Sequence, residues 1–378
     1  MILEDLGYTS FFEAGRNRLG LNGFPVARVI SEHKEAYKVK NANGEYLAKI
    51  TGKILRQAQD REDYPAVGDW VAISELADSR AVIHAILPRE TVIKRKHGER
   101  DKSGEKSETQ VIAANVDDAF VVESVDRDYS LNRFERYFAL LQNGGVKPVI
   151  VLNKADLLSD DELKERLRQL RSRFRGIDII PTSTVSGKGL DELKRYIRES
   201  PSSKFGRSKT YCFLGSSGVG KSSLINKLIG DGGAIKTGVI SRYSGRGKHV
   251  TTARQMYFLT GGSTSLTING IVIDNPGIRE VGIADANAGI SIYFDEITAL
   301  AEKCKYADCT HTHEPDCRVV QVVKSGKLDK DKYANFVNFR KEAEHYKMSG
   351  TEKRKKDRQF GKFIKTAKKE LKDIGHKK

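Results

Sequence analysis

The chain has 378 residues, 38% of them hydrophobic, and a formal net charge of +16. This length predicts two or three compact units, and no run approaches the roughly 18 apolar residues that a membrane helix needs. Acidic residues stand near the start of the chain where a signal peptide would carry lysines. We therefore expect a cytoplasmic protein that does not enter a membrane, and the positive charge favours a polyanionic partner.

Short segments with alternating apolar and polar residues fill positions 24 to 93, and turn formers such as Asn43-Gly44 separate them. About five strands in 70 residues predict a β-barrel resembling the oligonucleotide-binding (OB) fold over residues 1–93, and a small barrel of another topology fits the same pattern. Residues 94–109 are almost entirely charged or small. We interpret them as a charged linker or mobile loop.

Apolar strands then alternate with helical stretches from 110 to 289, which predicts an α/β domain with a parallel sheet. The apolar segment VIVL precedes Asn153-Lys154-Ala155-Asp156, so these residues are expected at the carboxyl end of a strand, where such sheets bind ligands. The Asp156 carboxylate can accept hydrogen bonds from both N1–H and the exocyclic amine of guanine, whereas adenine would leave it unpaired. Alone, the motif could simply cap the next helix.

The segment from Gly215 to Ser222 matches the phosphate-binding P-loop pattern, between the apolar segment YCFL and the helical pattern SLINKLI. Its glycines allow backbone N–H groups to approach phosphates at a helix N-terminus. We expect Lys221 to reach the β- and γ-phosphates and Ser222 to bind Mg²⁺. The predicted nucleotide contacts in this loop are Gly215, Ser216, Ser217, Gly218, Val219, Gly220, Lys221, Ser222 and Ser223.

A glycine-rich stretch, 230–249, continues into Val250, Thr251 and Thr252 and is interpreted as a switch loop that orders around γ-phosphate and Mg²⁺. The next apolar strand ends in the D-x-x-G sequence of Asp274 to Gly277. Asp274 is expected to bind Mg²⁺ through water, and the Gly277 amide is expected to face the γ-phosphate.

Three of the four cysteines lie within 14 residues: Cys304, Cys309 and Cys317, with His311 between them. This Cys₃His set suits tetrahedral zinc with no open position, which predicts a structural metal. His313 is a rival fourth ligand. Cys212, on the strand before the P-loop, is interpreted as a buried apolar residue.

The C-terminal region, 290–378, is predicted to combine this metal site with a basic helical tail. Residues 318–378 hold 20 Lys and Arg against 8 Asp and Glu, so this region carries +12 of the net charge. Such an unbalanced run favours nucleic acid over an ordinary solvated helix face.

The base-recognition motif precedes the phosphate loop, the reverse of their order in ordinary small GTPases. With the barrel before them and the cysteine cluster after them, these motifs resemble the ribosome small-subunit-dependent GTPase family of circularly permuted GTPases. The resemblance extends from Pro65-Ala66-Val67-Gly68-Asp69-Trp70-Val71 to the cysteine cluster. It implies that Ser183 and Thr184 begin a guanine-contacting loop, with Thr184 in the usual place of alanine, and it favours His311 over His313.

The family typically has His-Thr-Thr-Thr in the switch, where this chain has His249-Val250-Thr251-Thr252, and Asp-Thr-Pro-Gly, where this chain has Asn275. Ile278 stands where many GTPases carry a water-orienting glutamine. The resemblance suggests His249 for that task, which a neutral imidazole can perform near pH 7. A histidine that merely belongs to the loop is the alternative.

The resemblance therefore implies a GTPase that binds the small (30S) ribosomal subunit and its rRNA and couples hydrolysis to late assembly and its own release. Its catalytic residues would be Lys221, His249, Thr251 and Thr252, with one structural Zn²⁺ and with Mg²⁺ accompanying GTP. We expect a monomer with slow intrinsic turnover that the subunit stimulates. Two alternatives are an RNA-binding module with vestigial nucleotide binding and a P-loop phosphotransferase.

Overall fold

The computed structural model describes residues 1–33, 36–97, 108–126, 129–199, 207–230, 254–259, 270–275 and 287–347, with 355, 358 and 366. The described residues up to Asn275 form one compact unit, and those from Asn287 onward form a second.

A closed five-stranded barrel follows the N-terminal helix α1 (Ser10–Arg18) in the first unit. Its strands are β1 (Val26–Glu32), β2 (Tyr37–Lys40), β3 (Glu45–Ile50), β4 (Trp70–Leu76) and β5 (Arg80–Ile86), with the short helix α2 (Gly52–Gln57) after β3. They pair in the order β1-β2-β3-β5-β4, and β4 returns to β1. Because β3 and β5 are parallel and the other pairs antiparallel, the barrel has the Greek-key connection expected of an OB fold. Alternate residues such as Val29, Val39 and Ile73 fill its interior.

The charged segment predicted as a linker instead contributes strand residues at both ends. Strand β6 (Val92–His97) pairs antiparallel with β7 (Glu108–Ala114). Polar strands can form here because the Arg95 guanidinium donates to Gln110 Oε1 across the pair, at 3.1 and 3.3 Å. The prediction of a linker is therefore wrong at its two ends, and residues 98–107 lie outside the described residues.

The α/β sheet has the order β10-β9-β8-β11-β13-β12. Its strands are β8 (Asp118–Ser124), β9 (Lys147–Asn153), β10 (Ile179–Pro181), β11 (Thr210–Leu214), β12 (Gln255–Leu259) and β13 (Gly270–Asp274). The helices around it are α3 (Leu131–Asn143), α4 (Asp160–Arg173), α5 (Leu190–Glu199) and α6 (Lys221–Ile229). All strands except β12 are parallel, so their carboxyl ends meet at one edge. The fully buried Phe120, Val151 and Phe213 belong to the core beneath that edge.

The 65–71 motif joins the barrel to the β6–β7 pair. The Ala114 amide donates to Val67 O at 3.0 Å, and Gly68, at φ +99°, lies so close that a Cβ would stand 2.0 Å from Ala114 O. The buried Asp69 carboxylate receives two hydrogen bonds from Arg89, each 2.8 Å long. A glycine is required at position 68 because any side chain would separate the two parts.

The second unit is helical, with α7 (Asn287–Tyr293), α8 (Asp295–Ala301), α9 (Arg318–Lys324) and α10 (Lys330–Lys347). Phe294 is fully buried against Phe336 and Phe339 of α10. The predicted helical tail is thus helical to Lys347; the rest of it falls almost wholly outside the described residues. Among the described residues, no helix has the length and apolarity needed to cross a membrane.

Candidate functional site

Four strands deliver the predicted nucleotide contacts to one edge of the sheet. Asn153 ends β9, Asp274 ends β13, Ser183 lies two residues beyond β10, and Gly215 directly follows β11. Because these strands are parallel neighbours, residues more than 100 positions apart in the chain meet at this edge.

The P-loop turns sharply between β11 and α6, and its glycines permit that path. Gly215, Gly218 and Gly220 have φ of +145°, +87° and +96°, in the left-handed region that side chains rarely adopt. A Cβ on Gly215 would lie 2.2 Å from Val122 O, and one on Gly220 would lie 2.3 Å from Asn153 Nδ2. The loop therefore packs directly on β8 and on the base-recognition segment.

Lys221 is buried at the start of α6. Its ammonium donates to Gly215 O at 2.9 Å and to Ser216 O at 2.8 Å. Burial lowers the pKa of Lys221 to about 8, because a desolvated ammonium is less stable than a hydrated one. The two carbonyl oxygens only partly stabilise the buried Lys221 ammonium. A polyphosphate bound at this loop would supply an anionic partner for that charge.

Ser222 and Asp274 are in contact although 52 residues separate them. The Ser222 hydroxyl donates to Asp274 Oδ2 at 3.1 Å. The other carboxylate oxygen, Oδ1, is buried and has no hydrogen-bond partner among the described residues, and burial raises the Asp274 pKa. A buried oxygen with free acceptor capacity beside a hydroxyl fits a hydrated Mg²⁺, which requires oxygen ligands.

Asn153 connects the base-recognition loop to the P-loop. Its amide Nδ2 donates to Val219 O at 2.8 Å, and its Oδ1 accepts from the Thr182 hydroxyl at 3.1 Å. Both side chains are buried, so their geometry is fixed by packing as well as by hydrogen bonding. Asp156 lies in the following turn and is exposed, with its carboxylate accessible to a ligand.

Lys154 has a left-handed backbone, with φ of +59°, and its ammonium pairs with Asp126 Oδ2 at 2.7 Å. The Ser124 hydroxyl donates to the same carboxylate at 2.6 Å. Asp126 thus holds a residue of the base-recognition motif from the end of β8.

The loop after β10 is organised by Ser183. Its hydroxyl oxygen accepts from the amides of Val185 and Ser186 at 3.1 and 3.0 Å, and its own amide donates to Lys188 O. The half-buried Thr184 lies within this turn. The Ala155 amide donates to Thr182 O at 3.0 Å, which joins the two predicted guanine loops.

Sequence reasoning missed Thr182 and Asp126. Each stands at the carboxyl end of a predicted parallel strand, and that position was the available signal. Four of the predicted residues, His249, Thr251, Thr252 and Gly277, lie outside the described residues. Ser216, Ser217 and Ser223 lie in or beside the P-loop and are partly exposed.

The Cys₃His residues converge in the second unit. Their ligand atoms all lie within 4.8 Å of one another. Cys304 Sγ lies 3.8 Å from Cys317 Sγ, and His311 Nδ1 lies 3.5 and 3.6 Å from these two sulfurs. Ordinary zinc–sulfur and zinc–nitrogen bonds in a tetrahedron place sulfurs about 3.8 Å apart and sulfur and nitrogen about 3.5 Å apart. The donor set and its spacing are therefore compatible with zinc.

His311 rather than His313 belongs to this cluster. His311 is buried, its backbone has φ of +61°, and its carbonyl accepts from the Tyr333 hydroxyl at 2.5 Å. His313 is exposed, and its ring contacts the Thr312 hydroxyl. Glu314 accepts from the amides of Thr310, Thr312 and His313 and so stabilises the turn that presents His311.

Comparison with known proteins gives the same assignment as the motifs. Residues 86–284 match the RsgA GTPase family. A curated relative from Bacteroides thetaiotaomicron, Small ribosomal subunit biogenesis GTPase RsgA 1, is 37% identical over 343 residues, 90% of each chain.

Two crystal structures resemble the fold. YjeQ from Thermotoga maritima is 26% identical with a TM-score of 0.57, over 84% of this chain and 98% of that one. YloQ, described as a circularly permuted GTPase, is 22% identical with a TM-score of 0.56, over 86% of this chain and 96% of that one. The family match across more than half of the sequence, with 37% identity to the Bacteroides thetaiotaomicron relative over 90% of each chain, shows that this chain belongs to the RsgA GTPase family.

Proposed function

We propose that this GTPase acts in biogenesis of the small ribosomal subunit: it binds the 30S particle, and GTP hydrolysis accompanies a late assembly step and its own release. The observation that carries the proposal is the hydrogen bond from Asn153 Nδ2 to Val219 O, which unites guanine recognition and phosphate binding at one sheet edge. The names of the curated relatives supply the ribosomal process.

In this proposal Asp156 selects guanine by accepting its N1–H and exocyclic amine. Asn153 and Lys154 hold that loop against the P-loop and Asp126. Ser183 organises the loop after β10, and the backbone amide of Thr184 in that loop faces the guanine oxygen. Selectivity arises because adenine would leave the Asp156 carboxylate unpaired.

Lys221 would exchange its two carbonyl partners for the β- and γ-phosphates, and the amides from Gly215 to Ser223 would surround the phosphates. Ser222 and Asp274 would hold Mg²⁺, directly and through water. That ion, when bound, neutralises charge that develops on the phosphate oxygens. The chain's own contribution is positioning and electrostatic stabilisation.

Water activation is assigned to His249, with Thr251 and Thr252 closing on the nucleotide and the Gly277 amide facing the γ-phosphate. Position 278 is isoleucine, which cannot orient water. We therefore expect slow hydrolysis by the free protein and faster hydrolysis when the small subunit is bound.

The remaining parts follow the division inferred from sequence: barrel 1–93, GTPase 110–289 and C-terminal region 290–378, with the 94–109 segment now partly in strands. One structural zinc at Cys304, Cys309, His311 and Cys317 would stabilise the second unit. The barrel and the basic tail would contact rRNA, with electrostatics contributing most of the affinity. The protein would act as a cytoplasmic monomer.

The test is hydrolysis of GTP and of ATP by the full-length protein, with and without purified small subunits. GTP-selective turnover that the subunits accelerate supports the proposal. Turnover that subunits leave unchanged contradicts the ribosomal part, and ATP-driven turnover or transfer of phosphate to an acceptor contradicts the guanine-specific hydrolase.

A further inference from the structure

The nucleotide-binding sheet continues into the barrel along one row of paired residues. Ser31 of β1 is the register partner of Gln255 at the start of β12, and Gln255 is the partner of Asp274 at the end of β13. Asp274 is in turn paired with Phe213 of the P-loop strand β11. A single row of strand neighbours therefore runs from the first barrel strand to the carboxylate proposed to hold Mg²⁺.

Arg254 contacts β1 where this row of paired residues enters the barrel. Its Nη1 donates to Glu32 Oε2 at 3.3 Å and to Val111 O of β7 at 3.1 Å. The Ser31 hydroxyl donates to Arg254 O at 3.3 Å. One residue thus contacts the barrel and the β6–β7 hairpin while it directly precedes β12.

The environment of the Arg254 guanidinium makes it sensitive to the positions of these elements. Only 13% of its side chain is exposed, against 39% for Glu32. Burial lowers the Arg254 pKa, the Glu32 charge opposes that effect, and Arg95 of β6 lies near enough for its own pKa to be lowered by burial and then by the Arg254 charge. A poorly solvated guanidinium is stable only while its acceptors stay in place.

We propose that Arg254 is a positioning residue that couples the barrel and hairpin to the nucleotide site. The inference rests on the function proposed above. Arg254 follows the proposed switch residue Thr252 by two positions, and its neighbour Gln255 pairs with Asp274. Displacement of β1 by RNA bound to the barrel would shift the Arg254–Gln255 segment and with it the position of Asp274. Conversely, a bound nucleotide that shifts Asp274 would shift β1. By linkage, RNA and nucleotide would change each other's affinity by the same factor.

The first experiment measures hydrogen–deuterium exchange of peptides covering β1 in the full-length protein, with Mg²⁺ and either GDP or a non-hydrolysable GTP analogue. We expect exchange to differ between the two nucleotides by at least about fivefold in the wild type, the lower end of ordinary coupling between sites. In Arg254→Gln this difference should disappear, while nucleotide affinity changes little. Glu32→Gln, at a more exposed position, provides a milder variant should Arg254→Gln fold poorly.

Arg207→Gln is the matched control. Arg207 forms an ion pair with Asp117 at the opposite end of the sheet, and its side chain is 12% exposed. If Arg254 merely adds stability, both variants should lower the melting temperature and both should retain the nucleotide-dependent difference at β1. That result, or β1 exchange that is identical with both nucleotides in the wild type, overturns the proposal.

A second measurement separates this proposal from the proposed function. Stimulation of GTP hydrolysis by small subunits is expected to fall about tenfold in Arg254→Gln, within the usual range of allosteric coupling, and to persist in Arg207→Gln. If subunits fail to stimulate the wild type, the ribosomal assignment fails while the exchange result still decides the role of Arg254. If stimulation persists in Arg254→Gln, the coupling does not pass through this residue.

Discussion

The predicted nucleotide site draws on segments from Asn153 to Asp274, whereas the four candidate metal ligands lie within 14 residues. The first set is held by parallel strands whose apolar residues are fully buried beneath it. The second stands between short helices, α8 and α9, of seven residues each. Strand order and a large core can build a site before any ligand binds, while a site on short local elements needs the bound metal to stabilise it.

The largest expected effect concerns the P-loop and tests whether the nucleotide site is formed before its ligand binds. Lys221→Ala should lower kcat by about 10³-fold or more, since transition-state charge loses its main cationic partner, while the sheet stays folded. The measurement is single-turnover GTP hydrolysis with circular dichroism as the check on folding. Lys227→Ala, on an exposed position of the same helix, should behave as wild type. Global unfolding of Lys221→Ala would contradict a preformed nucleotide site.

Removal of one predicted metal ligand tests whether the Cys₃His site depends on its bound metal for stability. His311→Ala should lose the zinc proposed for this site and the exchange protection of α8 and α9, because ligand binding supplies folding free energy to such a site. Elemental analysis and hydrogen exchange measure both effects. His313→Ala is the control and should keep the metal. If His311→Ala kept full protection in this unit, local packing alone would suffice.

Base recognition should show a smaller, chemically selective effect. Asp156→Asn replaces one of the two carboxylate oxygens that accept from guanine with an NH₂ donor, so one guanine donor loses its acceptor and GTP affinity should fall by about 10²-fold or more. Affinity for xanthosine triphosphate should rise, because the new amide can donate to the carbonyl that replaces the guanine amine. Competition binding with both nucleotides measures this. Asp161→Asn, on the exposed start of α4, should leave both affinities unchanged.

The smallest predicted effect concerns the buried support of the base loop. Thr182→Val removes the hydroxyl that donates to Asn153 Oδ1 and should weaken GTP binding roughly tenfold, as loss of a buried hydrogen bond does. Thr210→Val is matched, since the Thr210 hydroxyl is fully buried with no hydrogen-bond partner among the described residues. It should be neutral or stabilising. Equal nucleotide affinities in the two variants would show that Asn153 needs no support from Thr182.

Much of the candidate site was predictable because its functional residues occur in short sequence motifs. Gly215 to Ser222 had to form a strand-to-helix turn, and Cys304, Cys309, His311 and Cys317 lie close enough in sequence to converge. The barrel also followed from local alternation of apolar and polar residues, and the α/β sheet followed from apolar strands that alternate with helical stretches. The ends of the linker were mispredicted because charged residues such as Lys and Glu are depleted in β-strands. Pairing between β6 and β7, which the local sequence does not reveal, offsets that tendency.

The sequence by itself determined the residue types and their order, which identified a permuted GTPase with a metal cluster. Only the tertiary structure decided which distant residues touch: Asp126 with Lys154, Thr182 with Asn153, and Arg254 with Glu32. It likewise places His311, which the family resemblance already favoured, in the cysteine cluster. The physical reason is that strand pairing and register set long-range contacts, and these depend on burial of the whole sheet rather than on any local pattern.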